Sequence, residues 1–270
     1  MEGRSPLILG YHGIGDVELR NDPFQLYVRP ETLMVHVRTL QDRGYEFVTM
    51  SRFADLLLEG GAAPRGVVAL TFDDGTTDHA TVLPGVLAEL GVPGTVYVCP
   101  GLSGEPYPWA DAGDGISFMT EAQLVELAGH PNVEIGAHTN EHRELHEADE
   151  ETALAEMTDC KSTLEALLGI EVVSFCYPRC HFSEGAARAA PRAGYKSAVT
   201  CGLRGSWDPY RLKREVIHSR DGRLVFAMKQ RGSFSGLGRS VPARLLRRSV
   251  LGIESALRMS PGGVGASGDS

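Results

Sequence analysis

The sequence predicts an α/β protein with a parallel sheet, because short apolar runs of strand length alternate with helical segments along most of the chain. The helical segments show the expected spacing, since Leu33, Val37 and Leu40 fall on one face of a predicted helix over 30–43. A second observation is that the most polar motifs directly follow predicted strands. The alternation by itself fits either a closed barrel or an open sheet.

Each predicted element has a local signal at its boundary. Ser51 is a candidate N-cap, and Thr120 with Gln123 forms a capping box. Gly169 ends a long amphipathic helix, and Gly91 ends a shorter one. The predicted strands are 7–11, 66–72, 95–98, 133–137, 172–177 and 196–200, and the predicted helices are 30–43, 51–58, 81–90, 120–128, 150–168 and 183–193.

Charge and composition exclude several classes of protein. The 270 residues carry a formal net charge of −9, which argues against a nucleic-acid partner. No apolar run is long enough for a membrane span, and the first residues lack the layout of a signal peptide, so we expect a cytoplasmic protein. The five scattered cysteines favour reduced thiols over a disulfide framework, and we interpret Cys176 and Cys180 as structural.

Two motifs carry the chemistry. Asp73 and Asp74 stand side by side after the apolar run 67–70, where a strand ends in a tight turn. His138 and His142 follow another predicted strand, and their spacing would place both imidazoles on one face of a helical turn. A carboxylate with two imidazoles is a common ligand set for a divalent transition metal. The other carboxylate is then free to act as a base toward water activated by the metal.

Several segments together resemble a known family, the polysaccharide deacetylases with a NodB-homology domain (carbohydrate esterase family 4). The segment Thr71-Phe72-Asp73-Asp74-Gly75 resembles the first motif of the family, and His138-Thr139-Asn140-Glu141-His142 resembles the second. Phe175-Cys176-Tyr177-Pro178 is similar to a variant third motif, and Tyr11-His12 to the opening element. The segment 208–214 is similar to one in members linked to exopolysaccharide genes.

The resemblance covers 7–232 and implies one catalytic domain, a distorted (β/α)7 barrel. It also implies metal-dependent removal of an acetyl group from an N-acetylated or O-acetylated sugar or polysaccharide precursor. Asp73 would be the catalytic base, and Asp74, His138 and His142 would bind one divalent ion. Zn²⁺ is the expected ion, with Co, Ni or Mn as alternatives. A backbone N–H near Tyr177 would hold the developing oxyanion.

Two departures from the family pattern concern catalysis. Many members carry an arginine in the third motif that orients the catalytic aspartate, but position 176 is cysteine, and we predict that Arg214 replaces that arginine. A closing Leu-x-His motif, which supplies the general acid in many members, has no convincing copy. His12 and His218 are the candidates for that role, and we select His12 as the catalytic one.

The remaining segments suggest where substrate binds and how the chain ends. The irregular loop 101–117 is a candidate wall or lid, and we predict that Trp109, Tyr177 and Pro178 contact substrate, whereas Tyr107 could stack on a sugar or anchor the loop. Beyond the domain, 233–259 contains a basic amphipathic helix, which favours packing in solvent over peripheral membrane contact. The Gly/Ser-rich stretch 260–270 is expected to be disordered.

Two other functions fit the same residues. The barrel could hydrolyse a different carbon–nitrogen bond, such as that of a small cyclic amide or a formamide. Alternatively, a chain with a damaged general acid could be a carbohydrate-binding remnant without activity. Retention of both the aspartate pair and the histidine pair argues against the remnant.

Overall fold

Seven parallel strands form a closed ring in the computed structural model, which describes residues 4–109, 115–202 and 205–231. The ring closes because the strand Leu7–Tyr11 pairs in parallel register with a strand on each side, Val67–Phe72 and Leu212–Val216. The strands of the ring are β1 (Leu7–Tyr11), β3 (Val67–Phe72), β4 (Gly94–Val98), β5 (Val133–Ala137), β6 (Ser174–Cys176), β7 (Ser197–Cys201) and β8 (Leu212–Val216).

A short extra strand distorts the ring. This strand, β2 (Glu46–Val48), pairs with the first half of β3, while β4 pairs with the second half along the same edge. Two strands therefore share one edge of β3, and the barrel is not regular. The structure confirms the expected α/β fold, a distorted (β/α)7 barrel.

Helices connect most of the strands, and their boundaries follow the sequence signals closely. The Thr120 capping box is present, with its hydroxyl accepting from the N–H of Gln123. The predicted cap at Ser51 is wrong, because Thr49 caps a helix that begins one residue earlier. The helices are α1 (Pro30–Asp42), α2 (Met50–Gly60), α3 (Thr77–Thr81), α4 (Leu83–Leu90), α5 (Glu121–Ala128), α6 (Glu150–Leu168) and α7 (Glu184–Arg192).

The helix predicted over 81–90 corresponds to α4, which begins two residues later, and a further short helix, α3, precedes it and is separated from it at Val82. Pro84 lies in the first turn of α4. Proline has no N–H, and its ring collides with the preceding turn, so it is tolerated at the start of a helix and not in its interior. The chain therefore restarts its helix just before Pro84.

Apolar side chains fill the barrel below its mouth. Ile8, Ala69, Val199 and Leu212 come from four different strands and belong to one buried cluster. Tyr97 is buried in the same cluster, and Gly136 on the neighbouring strand leaves room for its ring. Because the interior is packed, the space for a ligand lies at the carboxyl ends of the strands.

The final described segment forms a separate compact unit from Asp221 onward, which contains α8 (Arg223–Lys229). The predicted C-terminal helix within 233–259 and the tail 260–270 lie outside the described residues. Within the described residues, no helix combines the length and apolar character needed to cross a membrane.

We expect the Gly136→Ala change to destabilise the barrel. An added Cβ would lie 2.5 Å from the Tyr97 ring, and overpacking of this kind costs about 1–3 kcal/mol. Urea titration of the free energy of unfolding checks this. Gly85→Ala in α4 is the matched control: its Cβ meets no atom within 4 Å, and alanine should stabilise the helix by about 0.5–1 kcal/mol. Equal effects of the two changes would contradict the packing argument.

Candidate active site

The loops after β3 and β5 bring the predicted metal ligands together at the barrel mouth. One carboxylate oxygen of Asp74 lies 3.4 Å from Nε2 of His138 and 3.6 Å from Nε2 of His142. The carboxylate of Asp74 and the ring of His138 are almost completely buried. These three residues form a possible metal-binding group, as the sequence predicted.

The turn after β3 adopts backbone geometry that separates the two aspartates. Asp74 has φ 76° and Gly75 φ 78°, both in the left-handed region. A side chain at Gly75 would also approach Val98 to 2.8 Å, so only glycine fits there. Left-handed geometry at a residue other than glycine costs about 1–3 kcal/mol and is retained mainly at functional sites.

The two histidines do not lie on a helical turn, so that expectation is wrong. His138 extends β5, with its N–H donating to the carbonyl of Val98 at 3.0 Å, and the following residues form an irregular loop. Thr139 has φ 61° and His142 φ 55°, which reverses the chain and returns the second imidazole to the first. The rings lie 5.0 Å apart between centroids, so the loop achieves the convergence that a helix was expected to give.

Hydrogen bonding shows that the group fits a cation. The Nδ1–H of His138 donates to the carbonyl of Cys176 at 2.7 Å, so in the neutral ring the lone pair of Nε2 faces Asp74. Burial lowers the pKa of His142 to about 4, which leaves that imidazole neutral at pH 7, whereas the neighbouring Cys176 and Asp74 raise the pKa of His138, whose Nε2 proton a bound cation would displace. The Asp74 oxygen lies 3.4 and 3.6 Å from the Nε2 atoms of the two histidines. Neighbouring ligand atoms in a tetrahedral Zn²⁺ site are separated by about 3.3–3.6 Å, so these distances fit such a site.

Tyr107 holds the second oxygen of Asp74, a contact that sequence reasoning missed. Its hydroxyl donates to that oxygen at 2.5 Å. The ring is buried between Tyr27 and Phe118, so Tyr107 anchors the loop and does not stack on a ligand. Burial and the nearby Asp74 raise the pKa of Tyr107, which keeps the phenol protonated as a donor. A loop tyrosine carries no local signal for this role.

Arg214 forms a bidentate ion pair with Asp73. The two guanidinium nitrogens lie 2.7 Å from the two carboxylate oxygens, and Arg214 is 1% exposed. Burial alone would raise the pKa of Asp73, but the charge and hydrogen bonds of Arg214, together with the nearby His138 and His12, outweigh burial, and the net pKa lies below the ordinary value. The guanidinium also lies 3.0 Å from the sulfur of Cys176, where the family arginine was expected. The sequence prediction placed Arg214 beside Asp73 correctly.

A cavity of about 140 Å³ opens onto both aspartates and both histidines. Trp109 lines it, with its ring 4.4 Å from that of His142, and His12 lines it from the end of β1. The Nδ1 of His12 is buried and has no hydrogen-bond partner among the described residues. Arg179 also lines the wall and is shared with a wider adjoining groove of about 700 Å³.

Tyr177 and Pro178 are buried behind the cavity wall, so the prediction that they contact substrate is wrong. The Tyr177 hydroxyl donates to the carbonyl of Tyr210 at 2.9 Å, and its ring stacks on Phe182. Its N–H donates to the carbonyl of Val199 at 3.1 Å and is not available to an oxyanion. Sequence could not show this, because the acceptor belongs to a strand about 20 residues away.

Cys180 and Cys201 form a disulfide, which corrects the expectation of five reduced thiols. Their Cα atoms lie 5.3 Å apart, within the usual range for a disulfide. The fold brings the turn after β6 beside the end of β7, a proximity that spacing along the chain does not reveal. Cys99, Cys160 and Cys176 are free and buried.

Comparison with known proteins identifies the family. Residues 60–198, just over half of the chain, match the family model of the polysaccharide deacetylases. The chain therefore belongs to the polysaccharide deacetylase family, a class of hydrolases that act on carbon–nitrogen bonds other than peptide bonds. This membership confirms the resemblance that the motifs indicated.

Individual relatives agree with this assignment. YxkH of Bacillus subtilis, which carries a provisional polysaccharide deacetylase name, is 27% identical over 193 residues, or 72% of this chain. The chain spans 63% of the length of that relative.

Solved structures with a similar fold include the Streptococcus pyogenes deacetylase PplD, solved in complex with acetate, which is 23% identical to this chain. The match covers 84% of this chain and 98% of the PplD chain, with a TM-score of 0.70. IcaB from Ammonifex degensii is 19% identical with the same coverage and a TM-score of 0.69. These two structures share the fold.

We expect the Tyr107→Phe change to weaken metal binding. The change removes the hydrogen bond that orients Asp74 and keeps the aromatic packing. Loss of a hydrogen bond to a metal ligand typically lowers metal affinity about 10–100-fold, and we expect a decrease of that size in zinc affinity. Competition with a chromogenic zinc chelator measures it. Tyr195→Phe is the matched control, because it removes another buried hydroxyl bond, to the carbonyl of Met157. If both variants bind zinc as the wild type does, Tyr107 does not position Asp74.

Proposed function

We propose that the protein is a metal-dependent deacetylase that removes an acetyl group from an N-acetylated sugar or polysaccharide precursor. The observation that carries this proposal is the pairing of two adjacent aspartates with different partners in one cavity. Asp74 faces two imidazoles, whereas Asp73 is ion-paired with the Arg214 guanidinium and lies beside the Cys176 thiol. A metal ligand and a proton acceptor are therefore available side by side.

Each of these residues has a separate role in the proposed reaction. A divalent ion held by Asp74, His138 and His142, Zn²⁺ by the chemistry of the ligands, would polarise the acetyl carbonyl and acidify water. Asp73 is kept ionised by Arg214 and accepts the proton of the attacking water. Arg214 acts through Asp73 by fixing its rotamer, and is a positioning residue.

Two further groups complete the proposed mechanism. Because the N–H of Tyr177 is occupied, the backbone amide of Arg179, a residue that lines the cavity, is the candidate oxyanion donor. His12 is the candidate general acid, because it lines the cavity with both aspartates and its Nδ1 has no partner there. Trp109 offers an apolar face for a sugar ring at the cavity edge.

The substrate and the location in the cell are inferences from chemistry. Family membership supports an acetylated sugar, and the wide groove beside Trp109 would accommodate more than a small cyclic amide. The cytoplasmic location stays a prediction, and the Cys180–Cys201 disulfide counts against it, because cytosolic thiols are kept reduced. Acid quenching of the cells followed by alkylation of the denatured protein decides this: five modified cysteines indicate a reducing compartment and three an oxidising one, because the buried Cys99, Cys160 and Cys176 become accessible on unfolding.

The direct test is acetate release from a panel of N-acetylated and O-acetylated sugars, with and without a chelator. We expect release that the chelator abolishes and zinc restores. Release of a different product from cyclic amides or formamides would favour the alternative hydrolase. No product from either panel, with the metal site loaded, would favour the carbohydrate-binding remnant.

We expect Asp73→Asn to keep the metal and lose about 10²–10⁴ in rate, because asparagine cannot accept the proton. The same change leaves Arg214 buried without a counter-charge, which should cost about 3–5 kcal/mol of stability. The double variant Asp73→Asn/Arg214→Met removes both charges and is the control: it should regain stability without regaining activity. Near-normal turnover of a metal-loaded Asp73→Asn enzyme would place the base elsewhere.

We expect Arg214→Met to move the acidic limb of the pH–rate profile to higher pH. Arg214 holds the pKa of Asp73 below its ordinary value, so its removal raises that pKa. The ionised form of Asp73 is the active one, and activity is therefore lost at a higher pH as the solution is acidified. Arg214→Lys is the matched control, since it keeps the charge but not the bidentate geometry, and its limb should stay near that of the wild type while kcat falls. An unmoved limb in both variants contradicts the role of Arg214.

We expect His12→Gln to lower kcat by about 10²–10⁴, because the leaving amine loses its proton donor. His218→Gln is the comparison, since His218 follows β8, which pairs with β1, and is the other candidate. A loss of this size in His218→Gln, with near-normal kcat in His12→Gln, would transfer the role of acid to His218.

A further inference from the structure

We propose a second divalent-metal site outside the catalytic cavity, formed by Glu144, His146 and His181. These three residues, named here the rim cluster, come from the loop after β5 and the turn after β6. None of the proposed catalytic steps uses them. Two imidazoles and a carboxylate are the ligand types that Zn²⁺ and neighbouring transition ions prefer.

The geometry of the rim cluster matches that of the first metal group. One carboxylate oxygen of Glu144 lies 3.2 Å from Nδ1 of His146 and 3.6 Å from Nδ1 of His181. All three donor atoms lie within 4.8 Å of one another. Ligands at 2.0–2.2 Å from a tetrahedral ion are separated by about 3.3–3.6 Å, so one ion can be reached by all three.

The backbone holds the two segments of the rim cluster in place without an ion. Leu145, between Glu144 and His146, forms a parallel bridge with Phe182, the neighbour of His181. The N–H of Ser183 also donates to the carbonyl of Leu145 at 3.1 Å. The ligands are therefore presented on linked backbone segments, and binding an ion needs little reorganisation.

Outer contacts and charge also suit an ion. Glu147 lies 3.5 Å from Nε2 of His146, and a proton shared on that side leaves the Nδ1 lone pair facing Glu144. Arg179 contacts the other oxygen of Glu144 at 3.0 Å, which leaves one oxygen for the ion. The two carboxylates and the one guanidinium sum to a single negative charge, which attracts a cation.

Partial exposure distinguishes this site from the buried one. The side chains of Glu144, His146 and His181 are 33%, 42% and 41% exposed. Water can complete the coordination, and binding should be weaker than at Asp74. An ion-free cluster of exposed pairs would contribute little to stability, since such pairs are worth about 0–1 kcal/mol.

The test is the zinc stoichiometry of the full-length chain, stripped with a chelator and then dialysed against Zn²⁺. We expect two ions per chain in the wild type, one in His146→Ala/His181→Ala, one in His138→Ala/His142→Ala, and none when all four changes are combined. His130→Ala is the matched control, because this partly buried histidine precedes β5 at the opposite end of the barrel, and it should bind two. Circular dichroism of each variant confirms folding.

The outcomes separate this proposal from the proposed function. A wild type with one ion, lost in His138→Ala/His142→Ala and kept in His146→Ala/His181→Ala, overturns the rim site and leaves the catalytic centre intact. A wild type with one ion, lost in His146→Ala/His181→Ala and kept in His138→Ala/His142→Ala, supports the rim site and overturns the catalytic metal centre. Cobalt substitution gives a second readout: the rim pair of changes should remove part of the tetrahedral absorption while acetate release persists.

Discussion

Moving a carboxylate and a guanidinium out of water costs several kcal/mol for each ion, so a buried pair persists only with close geometry and further hydrogen bonds. The Asp73–Arg214 pair at the barrel centre meets both conditions, with two contacts of 2.7 Å. The remaining donors of the guanidinium reach Thr71, Thr200 and Cys176 on three different strands. Only the closed ring provides all of these partners, so closure of the barrel and orientation of the proposed base depend on each other.

Long-range links shape the mouth of the barrel more than local structure does. The turn after β6 is held by the Cys180–Cys201 disulfide and by the Thr200 hydroxyl, which donates to the carbonyl of Cys180 at 2.8 Å. Arg179 in that turn has φ 52° and contacts both Glu144 and the face of Trp109. One side chain thus joins the catalytic cavity, the wide groove and the rim cluster, which makes this turn the place where substrate preference could be changed.

Much of the site could be predicted because its signals are local. A strand followed by adjacent aspartates, and another followed by paired histidines, must present those side chains at the same end of a parallel barrel. That reasoning was enough for one aspartate to be expected beside His138 and His142, and the resemblance to the family assigned that place to Asp74. Arg214 was predicted from the resemblance to the family, whose third motif carries an arginine where this chain has Cys176. For the aspartates and the histidines, the position at the end of a strand determines where the side chain lies, and that position is visible in the hydrophobic pattern.

The sequence by itself determined most of the alternation of strands and helices, though not β2 or β8, and it determined the end of the barrel at which the aspartate pair and the histidine pair meet. Only the tertiary structure decided how they meet. The histidines converge through a loop with left-handed residues and not through a helix, and Tyr107 orients Asp74 from a distant loop. The N–H of Tyr177 donates to a carbonyl of β7. These features depend on contacts between segments far apart in the chain. Such contacts follow from the closure and register of the ring, which no local pattern of residues encodes.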